Sequence, residues 1–331
     1  MDNNCDKIIY MKKAALIILL SLAFTFFCSA FTVDDLQSFP YKKTSYYGGK
    51  FSTDLIEKVR TFEGNAASFL KEFDNYDGYK NHVLNDEEKD FFLYYFEYLP
   101  EKLQQAVTDN VFAIYFVDGM WYGALTDVIF DANKKPYCII YFNIETFYYT
   151  LDDWLTYRDN TLFKNTDENN KLVVECSDTW SAFLQIFIHE AAHVYDFVNN
   201  VTPYLYGSIE APVNDNPYYS VWKNKNEPLK KYLNKKFQKT AFYEYGKKID
   251  IKDGKEIIDY LNTTPFSTLY AATNWMDDFA EAVTFYYLQR NFGLDYKVTY
   301  IKKGKTAATY SYKSNPNIKI WYSLCKSITR L

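Results

Sequence analysis

The sequence predicts an α+β fold, and three observations carry the prediction. Strand-length apolar runs at 111–117, 127–130 and 137–142 lie between turn residues. A long run without Gly or Pro follows at 180–198, and a second apolar helix at 274–292 stops at Gly293. The order is therefore helices, strands, then two helices that share no sequence neighbourhood. The 331 residues, 48% of them hydrophobic, suffice for a sizeable core. A net charge of −5 gives no basis for a nucleic-acid partner, and a monomer is expected. The 33 Tyr and 27 Phe are read as core material rather than as a sugar- or peptide-stacking surface.

Taken from the N-terminus, Lys12 and Lys13 precede an apolar stretch at 14–27 that ends in Cys28, Ser29 and Ala30. A 14-residue apolar segment is too short to span a bilayer, which needs about 20 residues, and it reads as a cleaved export signal over 1–30. Met11 stands at the start of that signal. A secreted or cell-envelope protein is expected. Cys28 offers a second reading as the lipid-bearing cysteine of a bacterial lipoprotein, although Thr25, Phe26 and Phe27 are not the small residues such a site favours. Cys138, Cys176 and Cys325 remain, an odd number without ligand spacing, and buried thiols are expected.

Residues 31–94 are expected to form an exposed, turn-rich leader (31–50) and a helical region. Leu55, Val59, Phe62 and Phe69 recur at helical spacing over 51–73, and Asn85 with Glu88 marks the start of a further helix. Pro100 opens another short helix before the first strand. Beyond residue 200 the chain reads as irregular to about 266. It is interrupted by Pro203, Pro212, Pro217, Pro228 and Pro265, with one basic helical piece at 229–239.

Chemistry is most legible at His189-Glu190-Ala191-Ala192-His193. Residues four apart share a helix face, so both imidazoles can aim at one point, as a tetrahedral Zn2+ ion requires. Glu190 is rotated by about 100° from His189 and falls beside that point, where a general base for a zinc-activated water belongs. The chain holds three His, and two of them form this pair; His82 is the third. A structural zinc would need further Cys or His nearby, whereas a catalytic one needs one more protein ligand. Asp277 and Glu281, four apart on the largely apolar helix at 274–292, supply the candidates. One can bind the metal while the other accepts the remaining N–H of a ligand His. Asp278 is turned aside, and Asp196 lies on the histidine stripe one turn further along, as an outer or structural group.

His189-Glu190-Ala191-Ala192-His193 with Asp196, followed by Asp277-Asp278-Phe279-Ala280-Glu281-Ala282, resembles the gluzincin metallopeptidases. It is most similar to the anthrax lethal factor-like catalytic domain, whose second helix reads E-x-F-A-E-A. The similarity covers roughly 95–290 and is specific at these short motifs. Asp277 stands where those domains carry Glu, one methylene longer. The resemblance implies a zincin-like fold over 95–331, with a small mixed sheet, an active-site helix, a second ligand-bearing helix and a long insertion at about 200–270. It implies Asp277 as third zinc ligand, Glu281 as the outer partner or alternative ligand, and Tyr270 as a hydrogen-bond donor to the transition state. The expected function is that of a secreted zinc metalloendopeptidase acting on protein or peptide substrates. The alternatives are an inactive surface-binding protein on the same fold, which the intact Glu190 argues against, and a metal-dependent hydrolase of a non-peptide bond.

Overall fold

The computed structural model describes residues 33–202 and 218–329. The export signal expected at 1–30, with Cys28, and Pro203, Pro212 and Pro217 of the expected insertion lie outside the described residues. The first sheet is built from β1 (Lys80–Asn81), β2 (Val111–Asp118), β3 (Ala124–Phe130) and β4 (Pro136–Asn143), in the order β1-β2-β4-β3. β2 and β4 run parallel, while β1 and β3 pair antiparallel to them. The sheet is therefore small and mixed. Every residue from Val111 to Val117 is buried, which explains an apolar run without polar alternation: both faces are covered.

Adjacent residues on a strand point to opposite faces. Tyr115 and Tyr141 stack 5.0 Å apart on one face, against Phe62 and against Phe69 of α1 (Gly64–Asp74). Phe116 and Phe142 occupy the other face. There Phe142 meets Phe183 and Phe187, at ring distances of 5.1 and 5.4 Å, on the helix that carries the histidine pair. Burying a Phe completely is worth about 1.5–3 kcal/mol, so these rings fasten that helix to the sheet.

Around the sheet lie α2 (Asp86–Glu97), α3 (Glu101–Asn110), α4 (Leu151–Asn160) and α5 (Ala182–Asn199). α2 starts at Asn85 as expected, where Asn85 and Glu88 form a capping box, and Pro100 stands at the N-cap position of α3. Farther along come α6 (Gly254–Asn262), α7 (Trp275–Phe292) and α8 (Tyr322–Thr329). A second, antiparallel sheet joins β5 (Lys171–Glu175), β6 (Lys297–Lys302) and β7 (Lys305–Ser311), with β6 in the middle. α5 and α7 pack on each other, and α5 also lies against α3, β3 and β4. No described helix is long and apolar enough to cross a membrane. The Cys138 and Cys325 thiols are buried and unpaired, as expected.

Four expectations need correction. Residues 31–50 are not an exposed leader: Leu36 is buried, the Lys42 ammonium pairs with Asp127 of β3, and Lys43 bridges to Phe130. The helix expected over 51–73 breaks in two. Val59 turns extended to bridge Ile114, the Arg60 N–H donates to the Ile114 carbonyl, and Gly64 sits at φ +55°. The basic piece at 229–239 makes two short 3₁₀ turns, because the Asn234 side chain accepts from the Lys236 and Phe237 N–H groups and competes with the helix. Finally, the stretch 201–266 holds regular structure in α6 and in a hairpin at 222–228. Leu36, Phe69 and Leu103 belong to the same continuous apolar cluster as Phe279 and Ile328, so 31–94 is integral to the core formed by 95–331.

Candidate metal centre

α5 starts at Ser181, whose hydroxyl accepts from the Phe183 N–H, and ends at Asn200 in the left-handed region. Between them the helix is almost wholly buried, and this straight run puts His189 directly above His193. Their Nε2 atoms lie 3.1 Å apart, pointing at one another. α7 starts at Asn274, which caps the Met276 and Asp277 N–H groups, so Asp277 occupies the first turn. Helix N-termini favour negative charge, and this one meets the histidine face of α5.

Asp277 Oδ2 accepts from Thr273 Oγ1 (2.9 Å) and Asn274 Nδ2 (2.5 Å). With that oxygen held, Oδ1 faces the histidines, 3.4 Å from His193 Nε2 and 3.7 Å from His189 Nε2. Three ligands about 2.0–2.1 Å from a tetrahedral ion sit about 3.3–3.4 Å from one another. The separations of 3.1, 3.4 and 3.7 Å bracket that edge, and the two-imidazole, one-carboxylate donor set suits zinc. The shorter side chain is thus matched by the close approach of the α7 N-terminus.

Glu281, one turn further along α7, lies on the opposite edge of the His189 ring. Its Oε1 is 3.0 Å from Nδ1, off the line of the ring N–H, whereas the point shared with His193 is at Nε2. The geometry therefore separates the two carboxylates, with Asp277 beside the shared point and Glu281 behind the ring. Glu281 is fully buried and accepts from Arg158 Nη1 (3.1 Å), Gln185 Nε2 (3.1 Å) and Thr268 Oγ1. Burial opposes its charge, but Arg158, His189 and Thr268 hold its carboxyl below the usual range. Burial would likewise lower His189, yet Asp277 and Glu281 push it up to about 10. Asp277 is drawn down against its own burial by the two imidazoles.

No family model, curated protein or solved structure matches the chain.

Glu190, turned off the two-histidine face, is buried and accepts from Thr126 Oγ1 of β3 at 2.6 Å. Tyr270 opens a 3₁₀ turn ahead of α7, its ring 5.9 Å from that of His189, and burial raises its phenol. His189, Glu190, Tyr270 and Asp277 all line one cavity of about 430 Å³. Residues 240–243 and Tyr245 form its far wall, beside Trp154 and Tyr122. Asp196 takes no part. Its carboxylate accepts from the Thr202 N–H and hydroxyl, both at 2.6 Å, closing the end of α5. Asp278 accepts from Trp222 Nε1, and His82 lies between Glu88 and Asp118.

Sequence reasoning did not single out Thr126, Arg158, Gln185 or Thr268. Gln185 carries a signal, since it lies four residues before His189 on the same stripe. Arg158 carries none, because only the tertiary fold, with α4 packed on α5, brings it to Glu281.

Proposed function

We propose that the chain is a zinc-dependent metallopeptidase with a zincin-like arrangement, as its resemblance to the lethal factor-like domains implies. The observation that carries the proposal is the convergence of His189, His193 and Asp277 at tetrahedral-edge separations, with His189, Asp277 and Glu190 lining one cavity. His189, His193 and Asp277 would hold the ion. When bound, zinc supplies Lewis acidity, making water a nucleophile near neutral pH and polarising a carbonyl oxygen.

The remaining work falls to the protein's own side chains. Thr126 engages Glu190 Oε2, which leaves Oε1 to take a proton from the attacking water. The water oxygen bonds to the peptide carbonyl carbon, the C–N bond breaks, and Glu190 returns the proton to the departing amine. Tyr270 donates its phenolic hydrogen to the carbonyl oxygen as charge develops there, and its raised pKa keeps that proton in place. β3 is the outer strand of its sheet, and Ala124 and Leu125 line the cavity, so an extended peptide can add beside it. Export to the cell envelope or beyond belongs to the same proposal.

The test is metal analysis of the purified chain together with cleavage of a broad peptide library. Wild type is expected to hold about one zinc and cut peptides. Glu190→Gln should keep the metal and the fold while losing about 10²–10⁴-fold in rate. A wild type that holds zinc and cuts nothing in the library would favour a non-catalytic binding role.

A further inference from the structure

One end of the cavity is polar in a way that hydrolysis does not use. Gln185 lies one helical turn before His189 on the stripe that also carries His193, and Arg158 reaches the same place from α4. Both side chains are 3% exposed, and both line the cavity. Each spends one end on Glu281: Arg158 Nη1 and Gln185 Nε2 donate to its two oxygens, and Arg158 Nε donates to Asp159 at 3.0 Å. The other end of each is left over. Arg158 Nη2, a donor, and Gln185 Oε1, an acceptor, are buried without a hydrogen-bond partner among the described residues.

Buried polar atoms are rarely left so, and an orphan donor and an orphan acceptor on two side chains that share the Glu281 carboxylate specify a complement. We propose that this end of the cavity is a specificity pocket for a primary carboxamide, the glutamine side chain of a peptide substrate. This rests on the metallopeptidase reading. The substrate C=O accepts from Arg158 Nη2, and its NH₂ donates to Gln185 Oε1.

Two competing side chains fit worse. A glutamate would add a carboxylate beside Asp159 and Glu281, with two negative charges already set against one guanidinium, and would turn lone pairs toward Gln185 Oε1. An aliphatic side chain of equal length would leave both orphan atoms unpaired in a drier pocket. Length selects glutamine over asparagine, because Arg158 stands two side chains behind the ligand point, beyond His189 and Glu281. The aromatic rings of Trp154, Tyr243 and Tyr270 line the way in, apolar walls for two methylenes, and the Tyr270 ring lies 5.2 Å from the guanidinium carbon.

The experiment uses the full zinc-loaded chain and three peptidyl hydroxamates. Each anchors at the metal, and they differ only in a Gln, Glu or Met side chain next to the anchor. Calorimetry reads their affinities without turnover, and library cleavage by the wild type reads the preferred bond. The Gln compound is expected to bind at least about tenfold tighter than the other two, and the library to be cut beside glutamine. Arg158→Lys, which keeps a cation against Glu281 but removes Nη2, should bring the three affinities to within about threefold of one another.

Equal affinities in the wild type overturn the pocket and leave the metallopeptidase reading standing. Gln-selective binding without cleavage of any library peptide sinks the peptidase reading alone. Failure of all three compounds to bind overturns both. The wild-type comparison decides the matter even should Arg158→Lys not fold.

Discussion

Exchanging the two carboxylates of α7 offers the sharpest test of the site, because they stand on opposite edges of one imidazole. Asp277→Ala removes an oxygen 3.4 and 3.7 Å from the paired Nε2 atoms and leaves two protein ligands. Zinc sites of four protein ligands bind with about 10–16 kcal/mol, so one ligand is worth about 3 kcal/mol or more, over a hundredfold in affinity. Glu281 touches His189 only through Nδ1, and loss of such an outer partner costs about 10–100-fold. The matching substitution is Glu281→Gln, not alanine. Arg158, Gln185 and Thr268 also donate to Glu281, and alanine would leave those buried donors without an acceptor, at about 1–3 kcal/mol each, and blur the readout. Zinc affinity is measured by competition against a chromogenic chelator at one pH, with circular dichroism checking the fold. Greater zinc loss from Glu281→Gln than from Asp277→Ala would refute the assignment of Asp277 to the metal.

Two further outcomes are expected. Burial raises the Asp196 carboxyl from 3.8 to about 6, so the folded chain binds that proton more tightly than the unfolded one. Its contribution is most favourable below about pH 4 and is lost as pH rises to about 6, by at most about 3 kcal/mol. Asp196→Asn should flatten this part of the curve when urea midpoints are compared at pH 4 and pH 7; an unchanged slope refutes it. Residues 240–243 and Tyr245 wall the cavity, so a metal-directed hydroxamate should slow proteolytic nicking and amide exchange there, and indifference to the compound would place the segment outside the occupied cleft.

The parts of the site that lie within one helix were legible in the sequence. His189, Glu190 and His193 follow from α-helical spacing, and so does the separation of Asp277 from Glu281 by a turn. The start of α2 at Asn85 and the strands at 111–118 and 136–143 were equally plain, since local signals specify them. What escaped was long-range. Arg158 reaches Glu281 across 123 residues, and Thr126 reaches Glu190 across 64, with no pattern in either segment to announce it. The second sheet escaped because β6 and β7 are polar on one face and carry Lys at their ends, which weakens the apolar alternation. Residues 31–50 looked like a leader because turn-rich composition does not reveal docking through scattered long-range contacts such as the Lys42–Asp127 pair, the Lys43–Phe130 bridge and the Tyr41–Phe69 ring pair.

Three phenols converge on one carboxylate at the edge of the cavity: Tyr79 (2.7 Å), Tyr122 (2.5 Å) and Tyr245 all donate to Asp74 at the end of α1. Asp74 and Tyr245 are 171 positions apart, so this knot ties the far wall of the cleft to the segment preceding the first strand. The width of the cleft is therefore set partly by residues that carry no chemistry of their own. A shortened chain beginning at residue 95 would keep every candidate ligand and still lose the anchor of its cavity wall. Residues 33–94 serve here as the abutment of an arch whose keystone is Tyr245.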